Sequence, residues 1–172
     1  MDTLEHWYAV WTRARHEFTV REDLKGKGLE VFLPTVERAS RRRDRRRILT
    51  VPLFPNYVFV HADLDKERYI QVARTLGVVT VLGWQEKNPV WIPDEQIQSV
   101  KILIDRTIPL AQHPFLRAGQ WVRVVDGPLK DVVGIIQAVK GGRKLIVQIE
   151  MLKRAVSCEL SAGDVMPIER PY

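Results

Sequence analysis

His6-Trp7-Tyr8-Ala9-Val10-Trp11-Thr12 is a short aromatic and β-branched run, followed at once by the polar segment Arg13-Ala14-Arg15-His16-Glu17. It is too short for a core helix and rich in strand-favouring side chains, so it predicts a buried strand. Ala14 to Gly28 is helix-compatible, carries Phe18 and Leu24, and meets stop signals at Gly26 and Gly28. Leu29 to Val36 returns to an extended pattern. Ile48-Leu49-Thr50-Val51 starts a return strand that Pro52 and Pro55 interrupt. Asn56 to Ala62 predicts another strand, with Tyr57, Phe59 and His61 on one face and Val58 and Val60 on the other. Tyr69, Val72, Ala73 and Leu76 then fall on one stripe of a helix over Asp65 to Leu76, which Asp65 is placed to cap. Val78 to Leu82 reads as a buried strand. Pro93 to Asp105 reads as a helix that opens on proline and carries Ile97, Val100 and Ile104 on one face. Residues 1–107 are therefore expected to form an α+β domain with a mainly antiparallel sheet flanked by helices.

Residues 108–117 contain two prolines and no sustained period, and read as a linker. The pattern then changes. Gln120–Val125, Val132–Val139, Lys144–Glu150, Leu152–Leu160 and Asp164–Ile168 are five strand candidates separated by glycine-bearing turns or tight joints. Five short strands suit a small barrel over residues 118–172, with Gly119 to Tyr172 able to fold alone. In it Leu145, Val147 and Ile149 alternate with Lys144, Gln148 and Glu150, and Cys158 falls among core positions.

Composition narrows the function classes. Hydrophobic residues at 45% and charged residues at 28% are ordinary for a folded chain. No apolar run reaches the roughly 18 residues of a membrane span, and the start Met1-Asp2-Thr3-Leu4-Glu5 lacks a secretory pattern, so a cytoplasmic protein is expected. One cysteine and four scattered histidines offer no metal spacing, and no nucleophile–base set or phosphate loop accompanies them. Neither a cofactor nor enzyme chemistry is expected. The net charge of +6 is concentrated: Arg38 to Arg47 holds seven arginines against one aspartate, which equals the charge of the whole chain. An arginine-dense loop suits phosphate backbones, because each guanidinium is a fixed fork of donors; the alternative is a solvated hairpin tip. Trp7, Tyr8, Trp11, Phe54, Tyr57 and Phe59 form a second concentration. Alternation sends Trp7 and Trp11 to one face and Tyr8 to the other, which leaves apolar surface for a partner.

These residues carry a family resemblance. His6 to Thr12, Pro52-Leu53-Phe54-Pro55-Asn56-Tyr57-Val58-Phe59-Val60 and Gly77-Val78-Val79 resemble successive blocks of the NusG N-terminal (NGN) domain. Gly119-Gln120-Trp121-Val122-Arg123-Val124-Val125-Asp126-Gly127-Pro128, followed by Gly134, resembles the KOW motif of the C-terminal barrel. Thr12 to Glu17 and Pro55-Asn56-Tyr57, where housekeeping members more often place glycine before the tyrosine, are similar to specialised RfaH- and UpxY-like paralogues.

The resemblance implies a monomeric transcription elongation or antitermination factor whose N-terminal domain binds the clamp helices of the RNA polymerase largest subunit through Trp11, Phe54, Pro55, Tyr57 and Phe59. It implies contact with non-template DNA or nascent RNA through Arg68, Arg74 and Thr75; Arg13, Arg15 and the loop residues Arg41, Arg42, Arg43, Arg45, Arg46 and Arg47 are expected to add to it by their charge. Leu76 stands where RfaH has a DNA-contacting arginine. Gly127, Leu129, Lys130, Val132 and Gly134 are the implied partner surface of the KOW domain, facing ribosomal protein S10. Rho comes second, because housekeeping members place phenylalanine where this chain has Leu129. A ribosome-associated or general RNA-binding KOW protein is the alternative. Target operons, a DNA recruitment element, the sign of the effect on termination and C-terminal refolding stay open at this level.

Neutralising Arg41, Arg42, Arg43, Arg45, Arg46 and Arg47 is expected to flatten the salt dependence of duplex DNA binding. Each lost phosphate contact removes roughly 0.9 from the log–log slope. A salt titration that leaves the slope unchanged means that the loop is only solvated.

Overall fold

The computed structural model describes residues 5–40, 47–86, 90–106, 109–113, 119–160 and 165–171. Its contacts divide the chain into two compact units, Met1–Trp91 and Ile92–Tyr172. In chain order the first holds β1 (His6–Thr12), α1 (Glu17–Gly26), β2 (Glu30–Phe32), β3 (Thr35–Ala39), β4 (Ile48–Pro52), β5 (Tyr57–Ala62), α2 (Lys66–Ala73) and β6 (Val78–Val81).

Four strands form an antiparallel sheet in the order β2-β5-β1-β6. Because side chains alternate along a strand, Tyr8 and Val10 of β1 share a face with Val58, Val60 and Ala62 of β5. That face packs with Val20 and Leu24 of α1 and Val72 of α2 in one buried cluster. Helix α1 begins later than its composition suggests, since Arg13 N–H donates to Gly77 O and Arg15 adopts a left-handed φ of 65°. Helix α2 is capped by Asp65, whose carboxylate accepts from Arg68 N–H at 2.7 Å.

The expected strand Leu29–Val36 is in fact two. Pro34 has no N–H to give a ladder, and its carbonyl instead accepts from Leu53 N–H. Beyond this break β3 and β4 pair with each other as a separate two-stranded ribbon, from Thr35↔Pro52 to Ala39↔Ile48.

The second unit holds α3 (Asp94–Asp105), β7 (Ala111–His113), β8 (Gln120–Val124), β9 (Val133–Val139), β10 (Gly142–Ile149), a 3-10 turn (Glu150–Leu152), β11 (Arg154–Leu160) and β12 (Val165–Pro167). Its strands form one antiparallel sheet, β12-β8-β9-β10-β11-β7. The five expected strands are present, and β7 adds a sixth inside the segment read as linker. Three residues give no periodic signal, so β7 is identified only by its pairing with β11.

Helix α3 packs on β9 and β10. Ser99 Oγ accepts from Val133 N–H at 3.0 Å and Gln96 Oε1 from Glu150 N–H at 3.1 Å. Arg123 Nη2 pairs with Glu95 at 2.7 Å. Strand β10 is buried without interruption from Leu145 to Ile149, which requires cover on both of its faces. Gln148, expected to face outward, is therefore buried. By contact the boundary falls at Trp91/Ile92, beside the expected 1–107 and 118–172 division, and α3 groups with the C-terminal strands. Its apolar stripe predicted that it needs a sheet but not which one. Among the described residues no helix is long and apolar enough to cross a membrane.

A fragment of residues 92–172 is expected to melt cooperatively. One of residues 119–172, stripped of α3 and β7, is expected to melt lower and bind a hydrophobic dye. Circular dichroism melts of the two fragments decide between this and a self-sufficient barrel.

Candidate functional site

The second face of the N-terminal sheet is aromatic. Trp7, Ala9 and Trp11 lie opposite His61, Phe59 and Tyr57, and Phe32 lies opposite Phe59. Trp7 meets Phe32 edge-on at 6.3 Å, and Phe54 meets Phe59 edge-on at 6.0 Å, geometries that aromatic rings favour. Trp7, Phe54 and Phe59 are buried. The cross-strand pair Trp11↔Tyr57 ends this layer differently: Trp11 is 42% exposed, Tyr57 is half-buried, and Pro55 beside them is exposed. Of the five aromatic-end residues expected to meet polymerase, Trp11, Pro55 and Tyr57 thus present surface. Phe54 and Phe59 do not, because they fill the layer beneath.

A polar joint holds this end. Asn56 has φ of 71°, a left-handed conformation that asparagine tolerates better than most residues. Its N–H donates to Glu17 Oε1 at 2.9 Å, and its carbonyl accepts from Thr12 N–H at 2.8 Å. Glu17, the first residue of α1, is only 5% exposed. The sequence singles out both residues only as marks of the paralogue resemblance and gives neither a structural role. The available signal was Asn56 between a proline and a strand, where a left-handed turn residue fits.

Next to Trp11 and Thr12, the exposed Arg13 and Arg15 occupy the β1–α1 turn. Arg13 N–H donates to Gly77 O at 2.8 Å, and Gly77, at φ +94°, has room only for hydrogen: a Cβ would lie 2.9 Å from His16 Cβ. Arg68 and Arg74 are exposed at the two ends of α2, and Leu76 is 72% exposed beyond it. Thr75, expected in the nucleic-acid set, differs from these arginines in exposure. It is buried, accepting from Lys27 Nζ at 2.7 Å and donating to Gln71 O at 3.1 Å, so its hydroxyl is used inside the unit. Arg38 and Arg47 are exposed on the β3–β4 ribbon, whereas Arg41, Arg42, Arg43, Arg45 and Arg46 lie outside the described residues.

In the second unit, Gly127 is exposed at φ +83° and its carbonyl accepts from Lys130 N–H at 3.1 Å, forming a turn that presents Lys130 to solvent. Leu129, Val132 and Gly134, three of the five residues expected at the partner surface, are buried. Gly134 admits no side chain: a Cβ there would stand 2.5 Å from Ile146 O. Cys158 is also core, its thiol pushed up to about 11 by burial. Among the described residues no group of three or more histidine, cysteine or acidic side chains is placed to hold a metal.

The first unit presents an aromatic and a basic surface and the second an exposed glycine turn. Residues 5–101 match the family model described as transcription termination factor nusG. The chain is 28% identical over 177 residues to the transcription termination/antitermination protein NusG of Vibrio cholerae, covering 96% of this chain and 97% of that one. Against the NusG protein of Thermus thermophilus it is 29% identical over 179 residues, covering 93% and 97%. A solved structure described as "Domain interaction in Thermotoga maritima NusG" shares the fold with a TM-score of 0.54 at 23% identity, covering 96% of this chain and 98% of the other. The chain belongs to the NusG family of transcription termination/antitermination factors.

Gly134→Ala is expected to destabilise the second unit by about 1–3 kcal/mol, the usual cost of forcing an atom into a packed core. Gly127 has open space around its Cβ direction. Chemical denaturation of the Ala variant tests this; an unchanged midpoint would show that the β9–β10 contact can relax.

Proposed function

We propose that this protein is an elongation or antitermination factor that docks the exposed end of its N-terminal sheet on the clamp helices of the RNA polymerase largest subunit. The observation that carries the reading is the Trp11↔Tyr57 pair, directly opposed across β1 and β5, with Trp11 open at the end of a layer whose Trp7, Phe54 and Phe59 are buried. Helix recognition favours such rigid aromatic anchors at the edge of a packed layer. Phe54 and Phe59 support the surface from below.

The same reading gives nucleic-acid contact to exposed arginines: Arg13 and Arg15 in the β1–α1 turn, Arg68 and Arg74 on α2, and Arg38 and Arg47 on the ribbon leading to the arginine loop. A two-stranded ribbon has the width of a duplex major groove, and its guanidinium forks suit phosphate. In the second unit the turn at Gly127 and Lys130 is the part available to a partner such as ribosomal protein S10. No bond is made or broken. The factor acts by holding polymerase and nucleic acid together, in the cytoplasm where bacterial transcription occurs.

Trp11→Ala combined with Tyr57→Ala is expected to weaken binding to purified RNA polymerase by at least about tenfold, equivalent to about 1.4 kcal/mol, and to reduce its effect on terminator read-through. Circular dichroism of the double variant should match the parent, since both side chains lie at the open end of the layer. Near-normal affinity in a folded double variant places the polymerase surface elsewhere. Copurification with ribosomal RNA in the absence of polymerase favours a ribosome-associated role instead.

A further inference from the structure

We infer that Glu17 is a positioning residue for partner binding: its carboxylate, touching no partner itself, fixes the turn that aims Pro55 and Tyr57. This rests on the reading of Trp11 and Tyr57 as the polymerase surface.

Three observations meet at Asn56. Its backbone is left-handed, which a residue with a side chain adopts only at a cost unless its surroundings hold it. Both of its backbone polar groups are engaged, and both partners come from the β1–α1 segment: Thr12 N–H reaches the carbonyl at 2.8 Å and Glu17 Oε1 takes the N–H at 2.9 Å. The carboxylate that does so is itself buried, so it is a fixed acceptor rather than a solvated surface charge. A hydrogen bond to a carboxylate is stronger than one between neutral groups.

Position follows from this. Tyr57 is the next residue after Asn56 and stands opposite Trp11, while Thr12 follows Trp11. The clamp formed by Thr12, Glu17 and Asn56 therefore sets both members of the exposed pair from behind. Arg13, whose N–H is bonded to Gly77 O, continues the same segment toward the basic turn. Glu17 contributes through backbone geometry, so its removal should alter affinity without removing any contacting atom.

The test measures binding of the full-length variants to purified RNA polymerase, with hydrogen exchange of the Asn56 amide in the free protein. Glu17→Ala should weaken affinity about tenfold, while Glu17→Gln, which keeps an acceptor oxygen, should stay within about twofold of the parent. The Asn56 amide should be protected in the parent and in Glu17→Gln and lose protection in Glu17→Ala. In the Trp11→Ala/Tyr57→Ala background, Glu17→Ala should add no further loss.

Should Glu17→Ala fail to fold, the turn is tested from its other side. Asn56→Val disfavours the left-handed backbone and should lose affinity as Glu17→Ala does, whereas Asn56→Gly should retain it. A folded Glu17→Ala that binds as the parent does, equal losses for Glu17→Ala and Glu17→Gln, or equal affinities for Asn56→Val and Asn56→Gly would overturn the role given to Glu17. Failure of the parent to bind polymerase, or full affinity in the Trp11→Ala/Tyr57→Ala protein, would overturn the functional reading as well.

Discussion

Strand β1 has a hydrogen-bonded neighbour on each side and a buried layer on each face, and the first unit is organised around that double confinement. Tyr8 and Val10 enter the helix-covered layer while Trp7 and Ala9 enter the aromatic one. A slip of one residue against β5 would exchange the two sets, sending indole rings toward α1 and α2, so the register is strongly specified. With the register fixed, Trp11 has no choice but to lie opposite Tyr57. The exposed pair is thus a consequence of packing several residues away.

Much of this was legible because side-chain period and strand length are local properties. The alternation of Tyr57, Phe59 and His61, the cap at Asp65 and the order of strands and helices follow from patterns that neighbouring residues carry. What depends on distant partners was not legible. The stripe on α3 does not say that its sheet is β9 and β10, and the short β7 exists only as a partner of β11. Family resemblance had a different limit: it aligns residues without reporting their exposure. Phe54, Phe59, Thr75, Leu129, Val132 and Gly134 occupy matching positions but are buried, whereas Trp11, Pro55, Tyr57, Arg13, Arg15 and Lys130 meet solvent.

Buried polar side chains act as joints between elements in both units. Glu17 ties the start of α1 to the turn before β5. Ser99 and Gln96 tie α3 to β9 and to the 3-10 turn after β10. Apolar burial is non-directional, whereas a hydrogen bond to one backbone N–H also fixes a direction. Among the described residues buried Gln96 Nε2 has no hydrogen-bond partner, so there the joint is made through Oε1.

The β3–β4 ribbon follows a different logic from the rest of the first unit. Its strands pair with each other in a separate sheet, and Ile48 and Leu49 near its far end are exposed, so that end is not bound to either buried layer. Lengthening a surface hairpin carries only a slowly growing entropic cost. A lineage can therefore rewrite the charge, length and reach of this arm generation after generation while the domain that carries it stays unchanged. Closely related chains should accordingly diverge in the ribbon before any change reaches β1.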